Sequence, residues 1–189
     1  NIKNSIYVYR MSSDSFPWMS EYNFNDLPNF DKIKSLLILI GNKVKENDIR
    51  VSYHPGPFNV LGSQNENVVN KTINELNKHS EIMDLMGLDQ STYYPINIHI
   101  NTTQPTRELS AERFCNNFKR LSDSCKKRLT VENDDKLSQY SVELLYNLVH
   151  KKINIPIVFD QLHWKLGPPD QSMEDALKLA LSTWNTKIG

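Results

Sequence analysis

Five side chains of metal-ligand type recur where short apolar runs end: His54 after I-R-V-S-Y, His99 in I-N-I-H-I, Glu132 in L-T-V-E, and Asp160 with His163 in V-F-D-Q-L-H. An imidazole or carboxylate at the mouth of an apolar segment is costly to desolvate unless it holds something. Imidazole nitrogen and carboxylate oxygen together form mixed donor sets that suit Mn, Zn or Fe. Each residue taken alone has an ordinary structural reading, and it is the recurrence at successive segment ends that points to metal. No serine stands in a nucleophile-elbow pattern, so Ser-His-Asp catalysis is unsupported.

The elements that must position these groups are visible as alternating patterns. Strands are expected at 5–11, 49–54, 94–100, 129–133 and 156–160, each β-branched or aromatic, and each is followed by a helical pattern. Phe30, Ile33, Leu37, Ile40 and Val44 mark the first helix, and Val69, Ile73, Leu76 and Met83 the second. A more polar third helix is expected near 110–128. Leu137, Tyr140, Leu144 and Leu148 mark a fourth, and a short fifth falls near 172–184. Such stripes read as core packing. Five βα units in succession imply a parallel sheet, either a (β/α)-barrel or a doubly wound sheet. No G-x-G-x-x-G turn follows a strand, and only six glycines occur, which weakens a dinucleotide-binding reading. In a parallel barrel every strand's C-terminal end opens on one face, so the five side chains would converge there.

At 189 residues the chain suffices for one domain, taken as 1–189, with a sizeable core. Its 22 basic and 22 acidic residues cancel, which gives no global pull toward nucleic acid or an anionic membrane. No apolar run approaches the roughly 20 residues of a membrane span and no signal peptide opens the sequence, so it reads as soluble, intracellular and unsecreted. It starts at Asn1 and enters an apolar run at Ile6, which reads as an excerpt of a longer protein. Cys115 and Cys125 fall in one helical pattern, roughly 15 Å apart along its axis, too far for a mutual disulfide.

Around the candidate ligands stand Y-R-M-S-S-D-S-F-P (9–17), R-V-S-Y-H-P-G-P-F-N-V-L-G-S (50–63), N-I-H-I (97–100), L-T-V-E-N-D-D (129–135), P-I-V-F-D-Q-L-H (156–163) and a late T-W (183–184). In this order, over nearly the whole length, they resemble the ultraviolet-damage endonuclease family, metal-dependent DNA repair nucleases on a TIM barrel related to endonuclease four and xylose isomerase. R-x-S-x-H-P-G and V-E-N-D-D are specific; N-I-H-I alone is weak. The resemblance implies that His54 and His99 bind one metal, that Glu132 bridges it to a second also held by Asp160, and that His163 belongs to a third. Glu132, Asp160 and His163 would be catalytic. The ion would be Mn²⁺, with Zn²⁺ or Mg²⁺ as alternatives, and the partner damaged double-stranded DNA bound by a monomer.

The family probes the duplex with Gln-Tyr directly after H-P-G, where this chain has Pro57 and Phe58. Phe58 keeps an aromatic face, whereas Pro57 has neither a side-chain amide nor a backbone N–H. The pair is therefore either a wedge lacking its polar half or a rigid turn. Where the family often has Gly-Gly after its third-strand His, Asn101 and Thr102 stand here. Family members also have a strand before the first one here and two after the T-W helix, carrying a Lys-x-His segment, another His and a final metal-binding Glu. Without them the first metal position is complete, the second lacks ligands and the third keeps only His163. The fold expected is a (β/α)8 TIM-barrel type lacking its first and last strands, which could not close and would leave apolar edges.

Other polar residues have two readings each. Ser12 and Ser13 could donate to DNA phosphates or serve turn chemistry. Asn133 could orient Glu132 or touch phosphate, and Asp134 or Asp135 could support a ligand or cap the next helix. His79 and His150 read as surface residues, and Trp164 and Trp184 as core or contact. Three functions remain open. One is an endonuclease nicking 5′ to ultraviolet photoproducts, another a sugar isomerase or epimerase of the same superfold, and the third a truncated, non-catalytic DNA-binding remnant.

Overall fold

In the computed structural model, which describes residues 5–167 and 170–184, the five apolar runs form β1 (Val8–Met11), β2 (Arg50–Tyr53), β3 (Ile96–Ile98), β4 (Leu129–Glu132) and β5 (Ile157–Val158). All neighbours are parallel and the spatial order is β1-β2-β3-β4-β5. A doubly wound sheet reverses its strand order at a switch point. The unbroken order is that of a partial barrel. The strands are shorter than the runs that predict them. Pro95 and Pro156 stand just before β3 and β5, where a missing N–H costs nothing, and their carbonyls accept from Tyr53 and Val131 at 2.9 and 3.1 Å.

Period-two alternation sorts the two faces. Val51, Tyr53, Ile96, Ile98, Leu129, Val131 and Ile157 are buried in the core. Arg10, Arg50, Ser52, Asn97 and Val158 instead line an open groove of about 350 Å³. The helices are α1 (Phe30–Glu46), α2 (Glu66–Leu85), α3 (Arg107–Phe118), α4 (Asp123–Arg128), α5 (Val142–Leu145), α6 (Lys151–Ile153), α7 (Gln161–Leu166) and α8 (Met173–Ser182). Gly41 lets α1 approach the end of α2, since a Cβ there would stand 1.7 Å from the Met86 carbonyl oxygen. Cys115 and Cys125 are buried free thiols. No helix among the described residues is long and apolar enough to cross a membrane.

Several expectations are corrected. The third helix is two: α3 is capped by Thr106 and α4 by Ser122, whose hydroxyls accept from Leu109 and Cys125 backbone N–H groups. The fourth begins only after Ser141, which caps α5, and continues through a π-helical turn (Tyr146–His150) into α6. Leu137 and Tyr140 thus precede it, and neither Asp134 nor Asp135 caps it. Ile40 is exposed, as are Val8 and Tyr9 at β1, an edge strand among the described residues. His150 is half-buried, stacked on Tyr146 with its Nδ1–H donating to the Ile155 carbonyl. Trp164 and Trp184 donate their indole N–H groups to the carbonyls of Gln171 and Ile157.

His79 departs furthest from its surface reading. It lies fully buried on α2, edge-on to Tyr53 with ring centroids 4.5 Å apart, and its Nδ1–H donates to the Glu75 carbonyl. Burial lowers its pKa from 6.5 to about 4, against the opposing carbonyl bond. The unfolded chain therefore takes up a proton near its ordinary pKa while the folded chain does not. Stability contributed above pH 6.5 is lost as pH falls toward 4, on the order of 3 kcal/mol in all. Melting curves of wild type and His79→Leu across that window should show a steep acid loss in the first and a flatter one in the second.

Candidate metal centre

The strand stagger brings the predicted ligands together. Ile98 pairs with Val131 and Tyr53 with Ile96, so His99 lies beside Glu132 while His54 lies beside Asn97. His54 reaches over Asn97 to Glu132, Nε2 to Oε2 at 3.1 Å, and His99 Nε2 lies 4.0 Å from the same oxygen. On the other side His163 Nδ1 is 3.5 Å from Glu132 Oε1. The His99 ring centroid is 5.3 Å from that of His54 and 5.2 Å from that of His163.

Two groups result, His54–His99–Glu132 and Glu132–Asp160–His163, each offering ligand atoms within 4.8 Å of one another. Glu132, 5% exposed, belongs to both. His163, which the resemblance assigns to a third metal, stands with the second group in this structure. Three imidazoles converge on one buried carboxylate. Imidazole nitrogens gathered round a carboxylate form a mixed nitrogen and oxygen donor set that fits a divalent cation.

The surroundings hold these groups in place. Asp134, 5% exposed, puts Oδ1 3.3 Å from His99 Nδ1, within ion-pair reach but without hydrogen-bond alignment. Partial burial would lower the His99 pKa, but the Asp134 and then the Glu132 carboxylates outweigh it and raise it. Desolvation would likewise raise Asp160, yet backbone N–H donation from His163, with that imidazole's field, holds its carboxyl below the usual range. Asp160 Oδ1 accepts from His163 N at 2.8 Å and so also caps α7. A Cβ at Gly167 would stand 2.4 Å from the Asp134 carbonyl oxygen, so glycine lets the end of α7 close on the loop after β4.

Asn97 is the residue missed from sequence. Thr130 Oγ1 donates to Asn97 Oδ1 at 2.9 Å, which turns the amide so that Nδ2 donates to Glu132 Oε2. Its position two residues before His99 on one strand face was the available signal. Asn133 is 1% exposed, with Nδ2 on the Asp160 carbonyl and Oδ1 accepting from Asp160 N. It staples β4 to β5 and does not touch Glu132 in this arrangement.

The groups read as DNA contacts lie on the rim. Pro57 and Phe58 form a turn after His54, and Phe58 is 88% exposed, which rules out a packed side chain. Ser12 accepts from Asp14 N at 3.2 Å and caps a 3-10 turn (Ser13–Ser15), so turn chemistry is present, while Ser12 remains exposed and Ser13 half-buried.

The chain is 35% identical over 189 residues to the UV DNA damage endonuclease of Clostridium perfringens (strain 13 / Type A), and 34% over 187 residues to that of Bacillus cereus (strain G9842). All of it and 98% of it are covered, against 44% and 56% of those relatives, so the chain spans about half their length. The crystal structure of SacUVDE superposes with a TM-score of 0.87 at 38% identity, covering 98% of this chain and 61% of that one. D-psicose 3-epimerase from Clostridium cellulolyticum H10 superposes at 0.69 with 12% identity, covering 97% and 63%, which shows the shared barrel fold alone. The isomerase reading is thereby not favoured. The model of the family described as UV-endonuclease UvdE matches residues 1–188, and the chain belongs to that family.

Proposed function

We propose that the protein is a metal-dependent DNA repair endonuclease that nicks the phosphodiester 5′ to ultraviolet photoproducts or related lesions in double-stranded DNA, leaving a 3′-hydroxyl. The observation that carries this reading is the pair of ligand groups sharing buried Glu132, opening on the same end of the sheet as the exposed Phe58. His54, His99 and Glu132 would hold one ion, and Glu132, Asp160 and His163 a second. Mn²⁺ is the proposed ion, with Zn²⁺ or Mg²⁺ as alternatives. Bound cations of this class screen a phosphodiester, activate water and stabilise a leaving oxygen, and they supply positive charge to a chain whose net charge is zero.

The chain's own groups do the rest. Asp134 biases His99, and Asn97 holds Glu132 Oε2, so two ligands meet a cation already oriented. Glu132, Asp160 and His163 stand nearest the reacting phosphate in this proposal. Phe58 stacks against distorted bases, while Ser12 and Ser13 donate hydroxyls to phosphates. Pro57 offers no N–H, so polar probing beside Phe58 must come from another group. The proposed enzyme acts as an intracellular monomer.

In the full-length protein, Glu132→Gln should keep the fold and lose nicking of irradiated plasmid by orders of magnitude, because an amide lacks the shared negative charge. Activity within a few-fold of wild type would end the two-ion reading. Asn97→Ala should weaken Mn²⁺ binding about 10- to 100-fold with unchanged circular dichroism, checked by metal titration. Phe58→Ala should lower affinity for irradiated duplex about 5- to 150-fold and leave undamaged duplex and metal content nearly unchanged. An unaltered affinity ratio with a lowered melting temperature would refute the wedge.

A further inference from the structure

A second aromatic projects from the loop next to that of Phe58. Trp18 is 85% exposed, and its backbone lies in the left-handed region at φ 54° and ψ 31°. Bulky side chains rarely adopt that conformation. Its neighbours hold it there. Met19 is buried at 3%, the Glu21 N–H donates to the Trp18 carbonyl at 2.9 Å, and Lys71 on α2 pairs with Glu21 at 2.8 Å. The result is a fixed turn that presents an indole to solvent.

The two loops leave adjacent strand ends, since Met11 pairs with Tyr53 immediately before His54. They are also joined. A cleft of about 230 Å³ lies between Trp18 and Glu75, and Glu75 Oε1 accepts from the buried Asn59 Nδ2 at 2.8 Å, one residue after Phe58. Two of the carboxylates around the cleft are engaged: Glu21 holds Lys71 and Glu75 holds Asn59.

We propose that Trp18 is a second base-stacking contact, an indole platform on the β1 loop that works with Phe58 on the β2 loop to hold unstacked nucleobases beside the metal centre. This rests on the DNA reading above. Polar Ser13, Asp14, Ser20 and Glu75 line the cleft beside Trp18 together with Pro17, half-buried Phe16 and buried Met19, so the apolar surface offered to solvent is chiefly the indole and Pro17, small for a protein docking surface. A lone, rigidly presented π face suits a nucleobase, because every base has a face to stack.

The test uses full-length, Mn²⁺-loaded protein with irradiated and undamaged duplexes of one sequence. Irradiated duplex should quench tryptophan fluorescence in wild type and quench it far less in Trp18→Ala. Trp164 and Trp184 are half-buried with bonded indole N–H groups and supply a steady background. Trp18→Ala should lose about 5- to 150-fold in affinity for irradiated duplex, keep its metal content and melting temperature, and be largely rescued as Trp18→Phe. Wild-type affinity and quenching in Trp18→Ala, or an equal loss on both duplexes, would overturn the assignment while wild-type nicking left the endonuclease reading standing. Failure of wild type to bind or nick irradiated DNA would overturn both.

Discussion

Everything at the functional end of this molecule turns on one buried carboxylate. Glu132 is 5% exposed and faces His54, His99 and His163 together with the Asn97 amide. A charge so removed from water must be compensated locally, and here the compensation comes from the end of β2, from β3 and the residue after it, and from α7. The sheet must therefore be parallel and staggered, since a change of register at β3 or β4 would turn Glu132 or its partners to the other face.

That demand explains why β4 is pinned at both ends. Arg128, fully buried, enters the strand and donates to Ser80 and Asp84 on α2, Ser124 on α4 and the Leu88 carbonyl. Asn133, just past Glu132, exchanges two hydrogen bonds with the backbone of Asp160. One guanidinium and one amide thus fix the strand in register from opposite ends. Behind β2 the His79 ring braces Tyr53, the residue before His54, so a helix supports this strand without touching the candidate metal centre. The candidate ligands are thus held from several sides, while Trp18 and Phe58 stand exposed on the loops that leave adjacent strand ends.

What could be known from sequence follows from periods. Alternation of two placed His54, His99, Glu132 and Asp160 at strand ends, and spacing of three and four marked α1, α2 and the later helices. Order and identity of the motifs carried the family. Helix boundaries were less legible: Ser122 and Ser141 each cap a helix inside a stretch that reads as one stripe, because apolar spacing continues across a turn while the backbone does not.

The amino-acid sequence by itself determined that imidazoles and carboxylates would gather at one end of a parallel sheet, since strand direction and side-chain alternation are local consequences of residue type. Only the tertiary structure decided which of them share Glu132, because that depends on the stagger between strands distant in sequence. It likewise decided that Asn97 and Asp134 contact Glu132 and His99, that Asn133 faces inward, that His79 is buried among apolar neighbours, and that Trp18 stands in solvent. Each of those outcomes is a contact or its absence across tens of residues, and no local period encodes which surfaces will meet.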